Sequence, residues 1–152
     1  MLSVVAWSVT DVPAPEQTAG PARTRDSRVA LGRHGEDLAL THLRARGFEL
    51  VARNQRTRHG EIDLIVYDGT TLAFVEVKTR VARAQARAGP APDTPLEGIR
   101  ARQRLRLRRL VAAWLVGAER RPSARQLRVD AIGIVVDRDW SLVRLDHAEG
   151  VL

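Results

Sequence analysis

Cysteine is missing altogether from the 152 residues. Disulfides, thiolate zinc sites and thiol nucleophiles are thereby excluded. Histidine is scarce: His34, His42, His59 and His147 are scattered, and no two share the spacing of a zinc-binding helix. No apolar run approaches the roughly 18 residues of a membrane span, so no membrane partner is expected. Residues 2–9 are apolar but short, carry no basic stretch ahead of them, and run into Asp11 and Pro13 rather than a small-residue cleavage site. They do not read as a signal peptide, and a cytoplasmic location is expected.

Lysine is nearly absent too. Of 25 basic residues, 24 are arginine, and Lys78 is the lone lysine. Arginine is planar and locked in its charge, whereas a lysine ammonium is compact and shifts its pKa when buried. One position keeps the second set of properties. Against the basic residues stand 18 acids, giving a net charge of +7 and a pI near 11.3. Such a balance favours a polyanionic partner, nucleic acid first. Hydrophobic content of 44% and charged content of 28% fit one soluble domain with a modest core.

What is present centres on residues 60–80, GEIDLIVYDGTTLAFVEVKTR. Two alternating strands are joined by Asp68-Gly69 turn chemistry. Side chains two apart on a strand share a face, so Glu76 and Lys78 point together while Val75 and Val77 point away. A carboxylate and an ammonium inside so apolar a segment are costly unless paired or bound to an ion. Asp63, on the preceding strand, can face the same spot.

The rest of the chain is read around this hairpin. Residues 1–27 are expected to be a disordered N-terminal extension, rich in Pro, Ala, Gly and Thr after Asp11. The domain proper then covers 28–152. A helix is expected over 27–46, ended by Gly47. Gly32 and Gly35 sit awkwardly in it, which points to a close approach by another element, and Glu36 follows directly. Glu36 is either a solvated residue paired with Arg33 or a third acid reaching the sheet. Residues 48–54 read as a strand. The turn-rich segment 53–60 holds Arg53, Arg56 and Arg58, either a solvated connection or a grip for phosphates. Residues 81–97 read as a mobile loop beginning just after Arg80. A basic amphipathic helix is expected over 96–116, with Gln103 packed or at the site's edge. Ten arginines lie between Arg100 and Arg128 against Glu119 alone. Solvated faces normally mix signs, so Arg100, Arg102, Arg104 and Arg106 are read as phosphate contacts, and Arg80 with them. Residues 127–137 form a further strand paired with 140–145. Asp130 is expected to be structural, bonded to Arg128 or to backbone.

The chemistry that suits two acids and a lysine is phosphodiester hydrolysis. It requires an activated water and stabilisation of growing phosphate charge, and a divalent metal on carboxylates supplies most of both. Mg²⁺ (or Mn²⁺) needs only one or two acids besides water and substrate phosphate. Asp63 and Glu76 are assigned to the metal, with the Val77 carbonyl as an extra ligand. Lys78 is assigned to the attacking water or to transition-state charge. Glu36 is a candidate for contact through water or for a second site.

Asp63, thirteen residues ahead of Glu76-x-Lys78, resembles the PD-(D/E)xK nuclease superfamily. Gly32-x-x-Gly35-Glu36 followed by GEIDLI, FVEVKTR and Arg128-Val129-Asp130 closely resembles the YraN-like family of small bacterial proteins, described as predicted endonucleases. The resemblance covers residues 29–136. It implies an α/β, restriction-endonuclease-like fold, a mixed central sheet flanked by helices, similar to archaeal Holliday-junction resolvases. It also implies catalytic roles for Glu36, Asp63, Glu76 and Lys78, branched or recombining DNA as a substrate class, and a homodimer. A nucleic-acid-binding protein that keeps the fold without catalysis is the alternative. Lys78 favours the enzyme, since a pure binder is free to drift to arginine there.

Overall fold

The computed structural model describes residues 4–7, 25–82 and 101–152. In chain order these form β1 (Val4–Trp7), α1 (Arg25–Ala45), β2 (Glu49–Thr57), β3 (Gly60–Tyr67), β4 (Thr71–Val81), α2 (Ala101–Gly117), β5 (Gln126–Val136) and β6 (Leu142–Ala148). All six strands make one sheet in the order β1-β6-β5-β4-β3-β2. Every neighbouring pair is antiparallel except β4–β5, which runs parallel over eleven residues from Thr71↔Gln126 to Val81↔Val136. A parallel pair needs a long crossover, and α2 lies within it. The architecture is the expected mixed α/β sheet flanked by helices.

Alternation along the central strands explains the three layers. Ala73, Val75 and Val77 of β4, with Ile132, Ile134 and Val136 of β5, pack beneath Leu38, Leu40 and Leu43 of α1. The intervening residues Leu72, Phe74, Val129 and Ala131 pack beneath Leu107, Leu110 and Trp114 of α2. Phe74 meets Trp114 edge-on, with ring centroids 5.4 Å apart. Glu76 and Lys78 therefore continue the row that opens with Leu72 and Phe74, on the α2 side of the sheet.

The end of α1 follows from Gly47, whose φ of +87° suits glycine. Phe48 N–H reaches back to the Leu43 carbonyl and Gly47 N–H to that of Arg44, at 3.1 and 3.0 Å, closing the last turn. The expected unstructured N-terminal extension needs amendment at two places. Val4–Trp7 adds a strand to the edge of β6, from Val4↔Ala148 to Trp7↔Leu145, and α1 begins at Arg25. A short apolar segment gains from an open sheet edge what it lacks alone. The expected loop over 81–97 falls mostly outside the described residues, as do Arg100 and the start of the helix expected from residue 96.

Candidate active site

The β3–β4 ladder runs from Tyr67↔Leu72 to Leu64↔Val75 and stops there. One further step of the same register would set Asp63 opposite Glu76. Instead the strands part, and the vacated bond is taken by a side chain: Val77 N–H donates to Asp63 Oδ2 at 2.7 Å. The N–H and C=O of one strand residue leave the chain on the same side, so the Val77 carbonyl also opens toward Asp63. Meanwhile β4 stays paired with β5 along its other edge. A fork in the sheet thus gathers two carboxylates and a main-chain oxygen.

Glu76 is 4% exposed, and its Oε1 carries two cations. Lys78 Nζ lies 2.5 Å from it, and Arg106 Nη1 of α2 lies at 3.5 Å. Burial pushes the Asp63 carboxyl up to about 6, and the nearby charges of Glu76 and Glu36 push the same way, against the Val77 N–H and Lys78. Glu36, Glu76 and Lys78, on α1 and β4, thus all act on Asp63 of β3. Among the described residues no group of three or more His, Asp or Glu is placed to cage a metal by itself. Two acids with a carbonyl nonetheless suit an octahedral oxygen-seeking cation that keeps its waters. A divalent ion would also relieve the repulsion that raises Asp63.

Gly35 lets α1 sit directly on β4, and Glu36 beside it acts on Asp63 through its charge. A β-carbon on Gly35 would fall 1.8 Å from Thr79 Oγ1, whereas one on Gly32 would meet nothing within 4 Å. The close approach expected of both glycines belongs to Gly35 alone. Glu36 is not paired with Arg33. Its Oε2 accepts Arg53 Nε at 2.9 Å and Asn54 Nδ2 at 3.1 Å. Asn54 has φ of +49°, a left-handed conformation that asparagine tolerates better than most residues.

A family model described as "Uncharacterised protein family UPF0102" matches residues 35–134, a span that takes in Glu36, Asp63, Glu76 and Lys78. The chain belongs to the UPF0102 family. It is 43% identical over 130 residues to a UPF0102 protein of Nocardia farcinica, covering 86% of this chain and 94% of that one. Similar relatives occur in Parafrankia sp. (42% over 120 residues, 79% and 93% covered) and Frankia casuarinae (41% over 121 residues, 80% and 94% covered).

The arginines of this UPF0102 protein divide into two groups. Arg53, read from sequence as a phosphate grip, is instead tied inward. Besides Glu36 it holds Asp37 Oδ1 at 2.6 Å and the Arg33 carbonyl at 3.0 Å. Arg56, Arg58, Arg80 and Arg104 are exposed, Arg56 leaning on Glu61 at 3.4 Å and Arg58 on His59 at 3.1 Å. Arg102 falls within α2. Arg106 joins the fork itself, a role that its place in an arginine run conceals. Gln103 is half-buried.

A second polar cluster lies under the β5–β6 end. Arg128 Nη2 donates to Asp130 Oδ2 at 2.9 Å, as the sequence leads one to expect. The structure adds His147 Nε2 at 3.0 Å and Gly150 N–H at 3.0 Å to that carboxylate. Burial alone would raise the Asp130 carboxyl, yet His147, Gly150 and Arg128 together hold it below the usual range. His147 Nδ1 meets His42 Nε2 at 3.1 Å. Burial, then the charges of His147 and Arg46, lower His42 to about 4. Nothing in the spacing of His42 and His147 announces this contact; the packing of α1 against the sheet creates it.

Proposed function

We propose that the protein is a metal-dependent endonuclease that hydrolyses phosphodiester bonds in DNA, with branched or recombining DNA as its substrate class. The observation that carries this reading is the fork: two carboxylates on parting strands, one with its pKa raised to about 6, beside the chain's sole lysine. Asp63, Glu76 and the Val77 carbonyl would hold Mg²⁺ or Mn²⁺. The ion, once bound, supplies Lewis acidity and a water more easily deprotonated. Lys78 holds the attacking water against Glu76 and faces the charge growing on the phosphate. Glu36, steadied by Arg53 and Asn54, sets the negative potential beside Asp63. Arg106 anchors α2 to the fork, and the outward arginines meet the DNA backbone. A cytoplasmic location accords with a DNA substrate, and a homodimer would suit a two-fold branched one.

The second reading keeps DNA binding without cleavage. It draws on Glu76, whose charge Lys78 and Arg106 already answer without a metal. A cleavage assay on linear, nicked, flapped and four-way DNA with Mg²⁺ or Mn²⁺ separates the two. The nuclease reading expects cutting that Lys78→Ala and the double change Asp63→Asn, Glu76→Gln abolish. Binding of all four substrates with no cutting, or cutting that survives in Lys78→Ala, decides against it.

A further inference from the structure

Beside the fork, between edge strand β2 and α2, lies a groove of about 770 Å³. Its floor is apolar, with Val51 and Ala52 on one side and Ala112, Ala113 and the exposed Val116 on the other. Its rim is Arg56, Arg58, Arg109 and Arg120, and among the described residues that line it none is acidic. All four arginines are exposed. An acidic protein surface would satisfy the rim but not the floor. Double-stranded DNA would satisfy the rim too, yet its base faces are stacked away and gain nothing from an apolar surface. A single strand offers both: one row of phosphates and unstacked bases.

We propose that this groove binds a single-stranded nucleic-acid segment leading away from the fork. Arg106 touches Glu76 Oε1 and would lie 3.4 Å from a β-carbon on Gly60 at the start of β3. Arg109 follows on the same helix face, three residues on. The cationic track is therefore continuous from the site of cleavage into the groove. The inference rests on the nuclease reading and sharpens it: the preferred substrate carries an unpaired arm next to the scissile bond. Phosphates hold to the rim while bases cover the floor.

The test is binding of the full chain, in EDTA so that no strand is cut, followed by fluorescence anisotropy. The probes are an oligothymidylate of about 12 nucleotides and a blunt duplex with as many phosphates. Wild type is expected to hold the single strand about tenfold tighter than the duplex. Arg109→Glu with Arg120→Glu, both exposed, should remove that preference, lower the salt dependence for the single strand, leave the melting temperature unchanged, and cost the duplex far less than the single strand. Equal losses on both probes, or no loss on either, would overturn the groove while leaving the nuclease reading intact. Polyglutamate competing as well as the oligonucleotide would overturn it in favour of a protein partner. Failure of wild type to bind either probe, with no cleavage in Mg²⁺, would sink both readings together.

Discussion

Asp63 Oδ2 stands 2.7 Å from the amide nitrogen of Val77, so a side chain occupies the position where the β3–β4 ladder would otherwise continue. The strands part at the very residues proposed to do the chemistry. Because the Asp63 carboxyl is also half-buried beside other acids, it is held in a state that folding alone would not choose.

Removing that charge should therefore stabilise the metal-free protein. The Asp63 pKa of about 6 against an ordinary 3.8 means that the ionised group opposes folding at neutral pH. An asparagine in its place would keep an oxygen for the Val77 N–H. Asp63→Asn is expected to gain about 1–3 kcal/mol in EDTA. Mg²⁺ or Mn²⁺ should raise the melting temperature of wild type and not of the variant. A variant that melts lower than wild type in EDTA contradicts this account of the fork.

Two groups should oppose each other as pH changes. Asp63, with its folded pKa raised, binds more protons folded than unfolded between about 3.8 and 6, so its contribution falls as pH rises through that window. His42, lowered to about 4 from 6.5, binds more protons unfolded, so its contribution rises with pH between those values. Wild type should show a nearly flat stability between about pH 4 and 6. Asp63→Asn should expose a rise with pH, and His42→Leu a fall. Urea melts across this range measure both slopes, and matching slopes in the two variants would refute the assignment.

Gly35→Ala is a steric prediction. A β-carbon would lie 1.8 Å from Thr79 Oγ1, 2.8 Å from its Cβ and 2.9 Å from its Cγ2. No rotamer of threonine clears all three, so α1 must shift. The expected cost is about 1–3 kcal/mol, and Thr79→Gly should recover part of it in a double-mutant cycle. Gly32→Ala, with open space around it, should be neutral or stabilising. Chemical denaturation of the four variants checks the contrast.

Arg53 and Arg58 should behave differently despite sharing one basic segment. Arg53 is bound to Glu36 and Asp37, so Arg53→Ala should destabilise by about 1–2 kcal/mol and leave the salt dependence of DNA binding unaltered. Arg58→Ala should do the reverse, lowering the slope of log affinity against log salt by roughly 0.7–0.9. Affinities titrated against salt, with melts alongside, distinguish the two.

Much of this was legible in residue order. Period-two alternation through residues 62–67 and 72–78 shows which side chains share a face, and so places Glu76 with Lys78. The lone lysine and the acids in apolar strands single out the site. Less was legible where two distant elements meet. Arg53 and Arg58 look alike in sequence, and only the packing of α1 over β2 gives one of them carboxylate partners. Arg106 sits in a run of six arginines, and nothing local marks it as the one that reaches Glu76. Gly32 and Gly35 differ only because Thr79 lies under the second. His42 and His147, 105 residues apart, meet through tertiary pairing alone. Val4–Trp7 is too short to declare itself without the edge of β6.

The parallel pairing of β4 with β5 has a kinetic consequence. β2, β3 and β4 are successive hairpins, and their contacts join residues close in sequence. β5 can align with β4 only after the whole segment between Val81 and Gln126 has looped back, and non-local closure of that kind slows folding. An early intermediate would hold the meander with α1 against it and α2 undocked. The acids of the fork would then be assembled before Arg106 arrives to meet Glu76, leaving Lys78 to answer that carboxylate until α2 docks.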